Sequence, residues 1–392
     1  MSTKSVLTAT IGGAIEWYDF VIFGFFADII GTQFFPESSE QQRLFYVFCV
    51  FAVSYFMRPI GSILFGYIGD KHGRSYSLRL TMFLGSGASI TMAFMPNYYQ
   101  IGFTASILFL IARMLQGLTV GVNISGSLVY VTELTKGRHR GFWVSIVFLS
   151  LQRGFLLATT ISSLLFAYLP HQYLNSWGWR LAFLVGSIII YFSFHSKGAL
   201  IETPYHNRLI HQNRTLANPT KNLFSNYKIS ILLAFAINAT FASSMIFILF
   251  YMPTLLRFYN FANSSIVHVA FYTIFIFSLI IPLWGWLSMR VKPHKLLYFG
   301  AIGMILLAYP CLSMITSQNL IAQYLGLTIL ITNITLIATV SPVIMSGLFP
   351  TAVRYSGFSV AYNFSLGVFN GSLPLILFIT NHFNYSSVKL IT

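Results

Sequence analysis

The chain has 392 residues, of which 56% are hydrophobic and only 8% are Asp, Glu, Lys or Arg, against about 25% charged residues in a soluble globular protein. This excludes a soluble fold and points to an all-α polytopic membrane protein, because a spanning helix takes about 20 residues with few charges. A net charge of +15 would suggest a nucleic-acid partner in a soluble chain, but in a membrane chain it reports which side the loops face.

Charge-poor stretches predict eleven helices, at 7–31, 44–69, 78–95, 101–122, 141–169, 181–196, 229–256, 264–289, 296–316, 320–346 and 357–380. The first follows Lys4 and resembles a signal peptide, yet it contains Glu16, Asp19 and Asp28 and outruns a normal apolar core, so it reads as a retained helix. The polar interruption 197–228 reads as a central cytoplasmic loop. It separates an N-terminal six-helix bundle, 1–196, from a C-terminal bundle, 229–392, that is incomplete. Cys49 and Cys311 lie in separate apolar stretches, which indicates packing rather than a disulfide or a metal site.

With the N-terminus inside, sixteen of the 23 Lys and Arg residues fall on the inner side, four on the outer, and Arg58, Arg113 and Arg153 within spans. Such asymmetry follows the positive-inside rule and removes the nucleic-acid reading. Abundant Phe, Ile, Tyr, Asn and Lys use AT-rich codons, which suggests a bacterial genome and an inner (plasma) membrane. A weak parallel repeat of roughly 215 residues relates Gly66 and Asp70 to Gly285 and Met289, and Arg140 to Arg354.

The connection after the second helix reads Gly66-Tyr67-Ile68-Gly69-Asp70-Lys71-His72-Gly73-Arg74-Ser75. Glycines let helix ends approach closely, and Asp70 can meet a cation or a helix N-terminus, which suits a latch between moving bundles. This pattern resembles the signature loop of the major facilitator superfamily. Gly12 to Phe20, Arg58-Pro59-Ile60-Gly61, Arg113 to Gly117, Tyr130 to Glu133 with Arg140-Gly141, Trp177 to Arg180, Glu202-Thr203-Pro204 and Phe349 to Gly357 narrow the resemblance to its metabolite:proton symporters, which carry proline, betaine and small organic acids. The resemblance implies two pseudo-symmetric bundles, a solute site between them near the midplane, and alternating access by rocking. It also favours gating roles for Asp70, Arg74, Glu133, Arg140 and Arg354, whereas Lys136, Arg138 and His139 read as inner-leaflet anchors.

None of the eight acids lies beyond Glu202, so carboxylate-based proton coupling must sit in the first half. Glu16 and Asp19 share one helical face about 14 and 18 Å into the first span. Intramembrane carboxylates usually face a cavity or a partner, which makes this pair the proton-coupling candidate; a structural ion pair with an intramembrane arginine is the alternative. Asp28 reads as a mouth residue. Arg113 is either the anchor for a solute carboxylate or the partner of Glu16. Arg58 reads as structural and Arg153 as a solute contact. Tyr362 and Asn363 resemble the family's Tyr-Asn pair, with uncharged solute contacts and ordinary interhelical hydrogen bonds both open.

No cofactor or metal motif and no enzyme signature competes: His-Glu-x-x-His and phosphate-loop patterns are absent, and His206 and His211 lie in a loop without a nearby carboxylate pair. The expected partners are a small solute, a proton and the lipid bilayer. Three features depart from the family. Asn123 stands where an acid is common, Met289 replaces the acid of the second latch, and the residues after 380 are too few to form a twelfth helix. The alternative to a working carrier is therefore a truncated, degenerate paralogue without transport. A cysteine placed at Asn213 is expected to resist a membrane-impermeant reagent added outside intact cells, while one at Ser38 reacts; the opposite pattern would reverse the topology.

Overall fold

The computed structural model describes residues 3–195, 200–259 and 261–370; the side chain of Glu16 lies outside the description. In chain order the helices are α1 (Thr3–Phe25), α2 (Ala27–Phe34), α3 (Glu40–His72), α4 (Arg74–Phe94), α5 (Tyr98–Ile101), α6 (Phe103–Leu134), α7 (Arg140–Tyr168), α8 (His171–Tyr173) and α9 (Trp179–His195). They continue with α10 (Pro204–His211), α11 (Pro219–Asn226), α12 (Lys228–Ile246), α13 (Met252–Phe258), α14 (Asn263–Leu287), α15 (Pro293–Ile315), α16 (Leu320–Gly347) and α17, residues 354–370. Among the described residues there is no strand. A helix stands at each expected span, and eight are long and apolar enough to cross a membrane. The expected end of the last span and the missing twelfth helix fall on residues 371–392, outside the described residues.

Several boundaries differ from expectation, each for a local reason. The first span bends at Phe26, which divides α1 from α2. Helix α3 starts earlier than expected because Ser39 and Gln42 form a reciprocal cap, Gln42 N donating to Ser39 Oγ at 3.4 Å and Ser39 N to Gln42 Oε1 at 3.1 Å. Its 33 residues reach about 50 Å at 1.5 Å per residue, which carries Asp70 well past a hydrocarbon core of about 30 Å. Helix α6 does not stop near 122 but runs to Leu134. Its glycines act as contact points: a Cβ on Gly117 would collide with the Ser54 carbonyl oxygen, and one on Gly121 with that of Arg58. Close backbone approach at small residues is the usual means of helix association in bilayers.

The seventh span is interrupted by a π-helical turn, Phe247–Tyr251, just before Pro253, whose missing N–H cannot complete an ordinary turn. The central loop is a second correction, since it folds into α10 and α11. Each begins with a capping side chain followed by proline: Thr203 Oγ1 accepts from His206 N at 3.3 Å, and Asn218 Oδ1 from Lys221 N at 3.0 Å.

Helices α1, α3, α4, α6, α7 and α9 pack on one another, as do α12, α14 and α15 around α16. Between these groups α7 meets α14 and α16, and α6 meets α16. Contact across the groups is tightest at the end carrying the α3–α4 connection. There a Cβ on Gly66 would lie 2.9 Å from Ser356 Cα, and one on Gly285 2.2 Å from Ser145 Oγ. Helix α15 forms an outer wall, with Ile305 and Tyr309 about four-fifths exposed, as a lipid-facing helix requires.

Candidate functional site

Two polar constellations are buried in this apolar bundle. The first closes one end. Gly73 adopts φ +117, a conformation that favours glycine, and turns the chain from α3 into α4 so that Arg74 points inward. Arg74 is fully buried. Its Nε donates to Glu133 Oε2 at 3.2 Å, its Nη1 to the Gly69 carbonyl at 3.1 Å, and its Nη2 to the Thr351 carbonyl at 2.5 Å while also pairing with Asp70 Oδ1 at 3.2 Å. Asp70 in turn accepts from Tyr355 N at 3.2 Å, Ser356 N at 2.9 Å and Ser356 Oγ at 2.5 Å. Those amides open α17, so a carboxylate on α3 caps a helix of the other group and meets the positive end of its dipole. Arg354 adds a bond from Nη1 to Glu133 Oε1 at 3.1 Å.

The segment before α10 completes this closure. Glu202 accepts from Arg74 N, Ser75 N and Ser75 Oγ at 3.0, 3.0 and 2.7 Å, capping the N-terminus of α4. Thr203 Oγ1 donates to Glu133 Oε2 at 2.7 Å, and Arg74 Nη1 donates to His206 Nδ1 at 2.7 Å. The expectation that His206 lies in a loop away from carboxylates is therefore overturned: it is wholly buried beside Arg74, Glu133 and Glu202. The sequence signal for this was the Thr203-Pro204 pair, a cap followed by a first-turn proline, which marks a helix start.

The second constellation lies mid-span. Asp19 accepts from Ser89 Oγ at 2.7 Å and from Gln116 Nε2 at 2.8 Å. Arg113 donates through Nη1 to Gln116 Oε1, and its guanidinium lies 3.9 Å from the Phe23 ring centroid. Gln116 thus bridges acid and base. Asp19 Oδ1 and Arg113 Nε are buried without a hydrogen-bond partner among the described residues. Both residues line a small cavity of about 20 Å³ with Ser54, Tyr55, Arg58 and Gln116. A larger cavity, of about 40 Å³, lies between the two helix groups, with Trp17, Phe148 and Gln152 on one side and Phe241, Phe277 and Tyr362 on the other. Tyr55 and Arg58 line both cavities, so they form the partition, with the Arg58 guanidinium 3.9 Å from the Tyr55 ring centroid.

The structure brings together Asp19, Arg113 and Tyr362 around these cavities and leaves other expected residues elsewhere. Arg153 is a correction: it is exposed and lines neither cavity. At about 100° per residue it points about 140° away from Phe148 and about 160° away from Leu151, which do face the cavity, and about 100° away from Gln152. Asn123 is buried between α4 and α6, accepting from Thr81 Oγ1 at 2.7 Å. Asn363 ties α17 to α6, donating to the Gly121 carbonyl and to Ser125 Oγ, so it serves interhelical bonding. Arg140 donates to Tyr205 OH at 3.0 Å at the edge of the closed end. Asp28 is exposed, and both cysteines are free. Arg58, read as structural, stands instead on the wall of both cavities.

Removing one partner of a buried ion network costs about 3–5 kcal/mol because the other charge is left unpaired. Arg74→Lys cannot reproduce the planar set of bonds and is expected to open the closed end. A cysteine at the buried Ser359 should then react with a water-soluble maleimide at least tenfold faster than in the unaltered background. An unchanged rate would show that Arg74 does not hold this end shut.

Comparison with known proteins agrees with this geometry. Over 383 residues the chain is 28% identical to a putative proline/betaine transporter of Staphylococcus aureus (strain MSSA476), covering 95% of this chain and 81% of the relative. It is 29% identical over 375 residues to the glycine betaine/proline/ectoine/pipecolic acid transporter OusA of Dickeya dadantii (strain 3937), covering 93% and 74%. The fold superimposes on the proton:xylose symporter XylE bound to 6-bromo-6-deoxy-D-glucose with a TM-score of 0.71 at 18% identity, covering 97% of this chain and 89% of the other. Residues 9–373 match the Major Facilitator Superfamily, and the chain belongs to that family as a multi-pass membrane transporter rather than an enzyme.

Proposed function

We propose that this protein is a proton-coupled secondary transporter of a small organic solute such as proline, betaine or an organic acid, working by alternating access. The observation that carries this reading is the Asp19–Gln116–Arg113 constellation, with a buried carboxylate oxygen and a buried guanidinium nitrogen that have no partner among the described residues, beside a cavity within the first helix group that Tyr55 and Arg58 separate from the cavity between the two groups. A carboxylate in such surroundings is suited to take and release a proton as its arginine neighbour is engaged or freed. Glu16, one turn earlier, is the second member of the coupling pair. Arg113, with Arg58 on the partition, supplies positive charge for a solute carboxylate.

The aromatic walls of the larger cavity suit the other end of a zwitterion. The rings of Trp17 and Tyr362 on its wall are of the kind that attracts an alkylated ammonium without a counter-carboxylate, and the second half of the chain has no acid to offer. The relatives' names include betaine and proline, which fits that chemistry. We assign 1–196 and 229–392 to the two moving bundles and 197–228 to the connection that carries the closing helices. The cation asymmetry supports placing the closed end and the N-terminus in the cytoplasm of a bacterial cell. The complete set of bonds at the closed end supports a working carrier over a degenerate copy.

Purified protein in vesicles with an imposed proton gradient, supplied with proline, betaine or 2-oxoglutarate, is expected to accumulate at least one of them. Asp19→Asn and Glu16→Gln should each reduce uphill accumulation at least tenfold while solute exchange at equal pH persists. Full accumulation in both variants would move proton coupling to another group, and no uptake of any solute class by the unaltered protein would remove the transport reading.

A further inference from the structure

The interior of the closed end contains a titratable group that gating by Asp70, Glu133 and the arginines does not need. His206 is fully buried on α10, and each of its ring nitrogens is in a defined situation. Nδ1 lies 2.7 Å from Arg74 Nη1. A guanidinium can only donate, so Nδ1 must be the unprotonated, accepting nitrogen. Nε2 therefore carries the hydrogen in the neutral ring, and it is buried with no partner among the described residues. A second proton would have to enter at Nδ1, where it would point at a cation and destroy the bond.

The charged groups facing this ring come from every element packed around it. Arg74 on α4 disfavours protonation, as does burial; Glu202 before α10 and Glu133 on α6 favour it. Asp70 and Arg354 lie one contact further out, on Arg74 and Glu133 respectively, and Arg140 reaches Tyr205, the neighbour of His206. The turn Thr351–Val353 facing α10 contributes no ionisable side chain. The balance leaves the imidazole below its ordinary value of 6.5, with burial the largest cause and Arg74 the next.

We propose that His206 is a proton sensor of the closed end: its neutral ring holds α10 against Arg74, and its protonation releases α10 and opens the carrier on that side. The inference rests on reading this end as the gate. The sign follows from linkage. Once α10 is released, the ring titrates near 6.5, whereas in the closed state it titrates lower, so the open state binds the proton more tightly. Closure is at full strength above about pH 6.5 and weakens as pH falls, by up to tenfold per pH unit until the closed-state value is reached. His206 is a positioning residue acting through Arg74. If this end is cytoplasmic, internal acidification favours the inward-open state.

The test uses the full chain in lipid nanodiscs, with Cys49 and Cys311 replaced by serine. Val353→Cys reports the closed end, because Val353 is fully buried in the turn that α10 covers. Asn213→Cys, exposed between α10 and α11, corrects for the pH dependence of thiol reactivity. The corrected maleimide rate at Val353→Cys is expected to rise about tenfold between pH 7.5 and 5.5. His206→Gln, which accepts from Arg74 but cannot gain charge, should flatten that profile at the slow rate. His206→Lys should give the fast rate at every pH. A flat profile in the unaltered chain, or the same pH dependence in His206→Gln, would overturn the proposal. Asp70→Asn separates the two levels of the argument: if it leaves the rate unchanged at all pH values, the gate reading fails and the sensor with it, whereas faster labelling at all pH values supports the gate.

Discussion

A guanidinium with no access to water determines how this protein can be closed. Arg74 sits where hydration is lost, so its charge is tolerated only if nearly every donor finds an acceptor in good geometry. Those acceptors come from separate elements: Asp70 and Gly69 at the end of α3, Glu133 on α6, His206 on α10 and Thr351 before α17. None can move away without exposing an unpaired charge to an apolar interior. The consequence is an all-or-none arrangement, in which the end is either fully assembled or opened to water, where all the charges are solvated. Such bistability is what an alternating carrier requires of a gate.

On the proposed function, the gate is built unequally across the pseudo-symmetric repeat. In the first half, Asp70 caps the amides that open α17 and Gly66 lets Ser356 approach. The equivalent position in the second half is Met289, whose thioether is only a weak, uncharged acceptor, and α7 has no side-chain cap. What remains there is close packing of Gly285 on Ser145 and of Gly141 on Ser288. Packing of this kind stabilises contact without a stringent requirement on charge, so on the proposed function the discrete switching falls to the polar half. The eroded second latch is thus compatible with a functioning gate, provided that the α10 segment adds its own polar contacts.

The helices were legible in the sequence because a bilayer imposes length and hydrophobicity on every spanning segment. Loops and helix ends were less so. The fourth span was expected to end near 122, yet it runs on to Leu134, and Gly117 and Gly121 mark where α3 lies backbone to backbone on α6. The polar segment 197–228 looked unstructured because α10 is held by tertiary bonds from Glu202, Thr203 and His206 to Arg74, Glu133 and the α4 N-terminus, none of which periodicity can reveal. Asp19 and Arg113 stood out as charges in apolar surroundings. Gln116 did not, because a neutral amide carries no such signal, although it joins the two. Arg153 carried the same signal as Arg113 and points elsewhere, since charge within a span fixes cost but not direction.

One helix connects the two constellations. Helix α3 bears Tyr55 and Arg58 on the partition between the cavities, and twelve residues later Asp70 at the gate, a distance of about 18 Å along a continuous helix. Its glycine contacts with α6 fix it laterally, so displacement at the partition is carried as rigid motion rather than lost in side-chain rearrangement. On the proposed function, a solute that draws Arg58 towards its carboxylate acts on the same element whose far end caps α17. The free energy available for opening is then the difference in solute and proton binding between the two states. Because the gate consists of many bonds that break together, a small bias at the partition changes the population of two states instead of bending one.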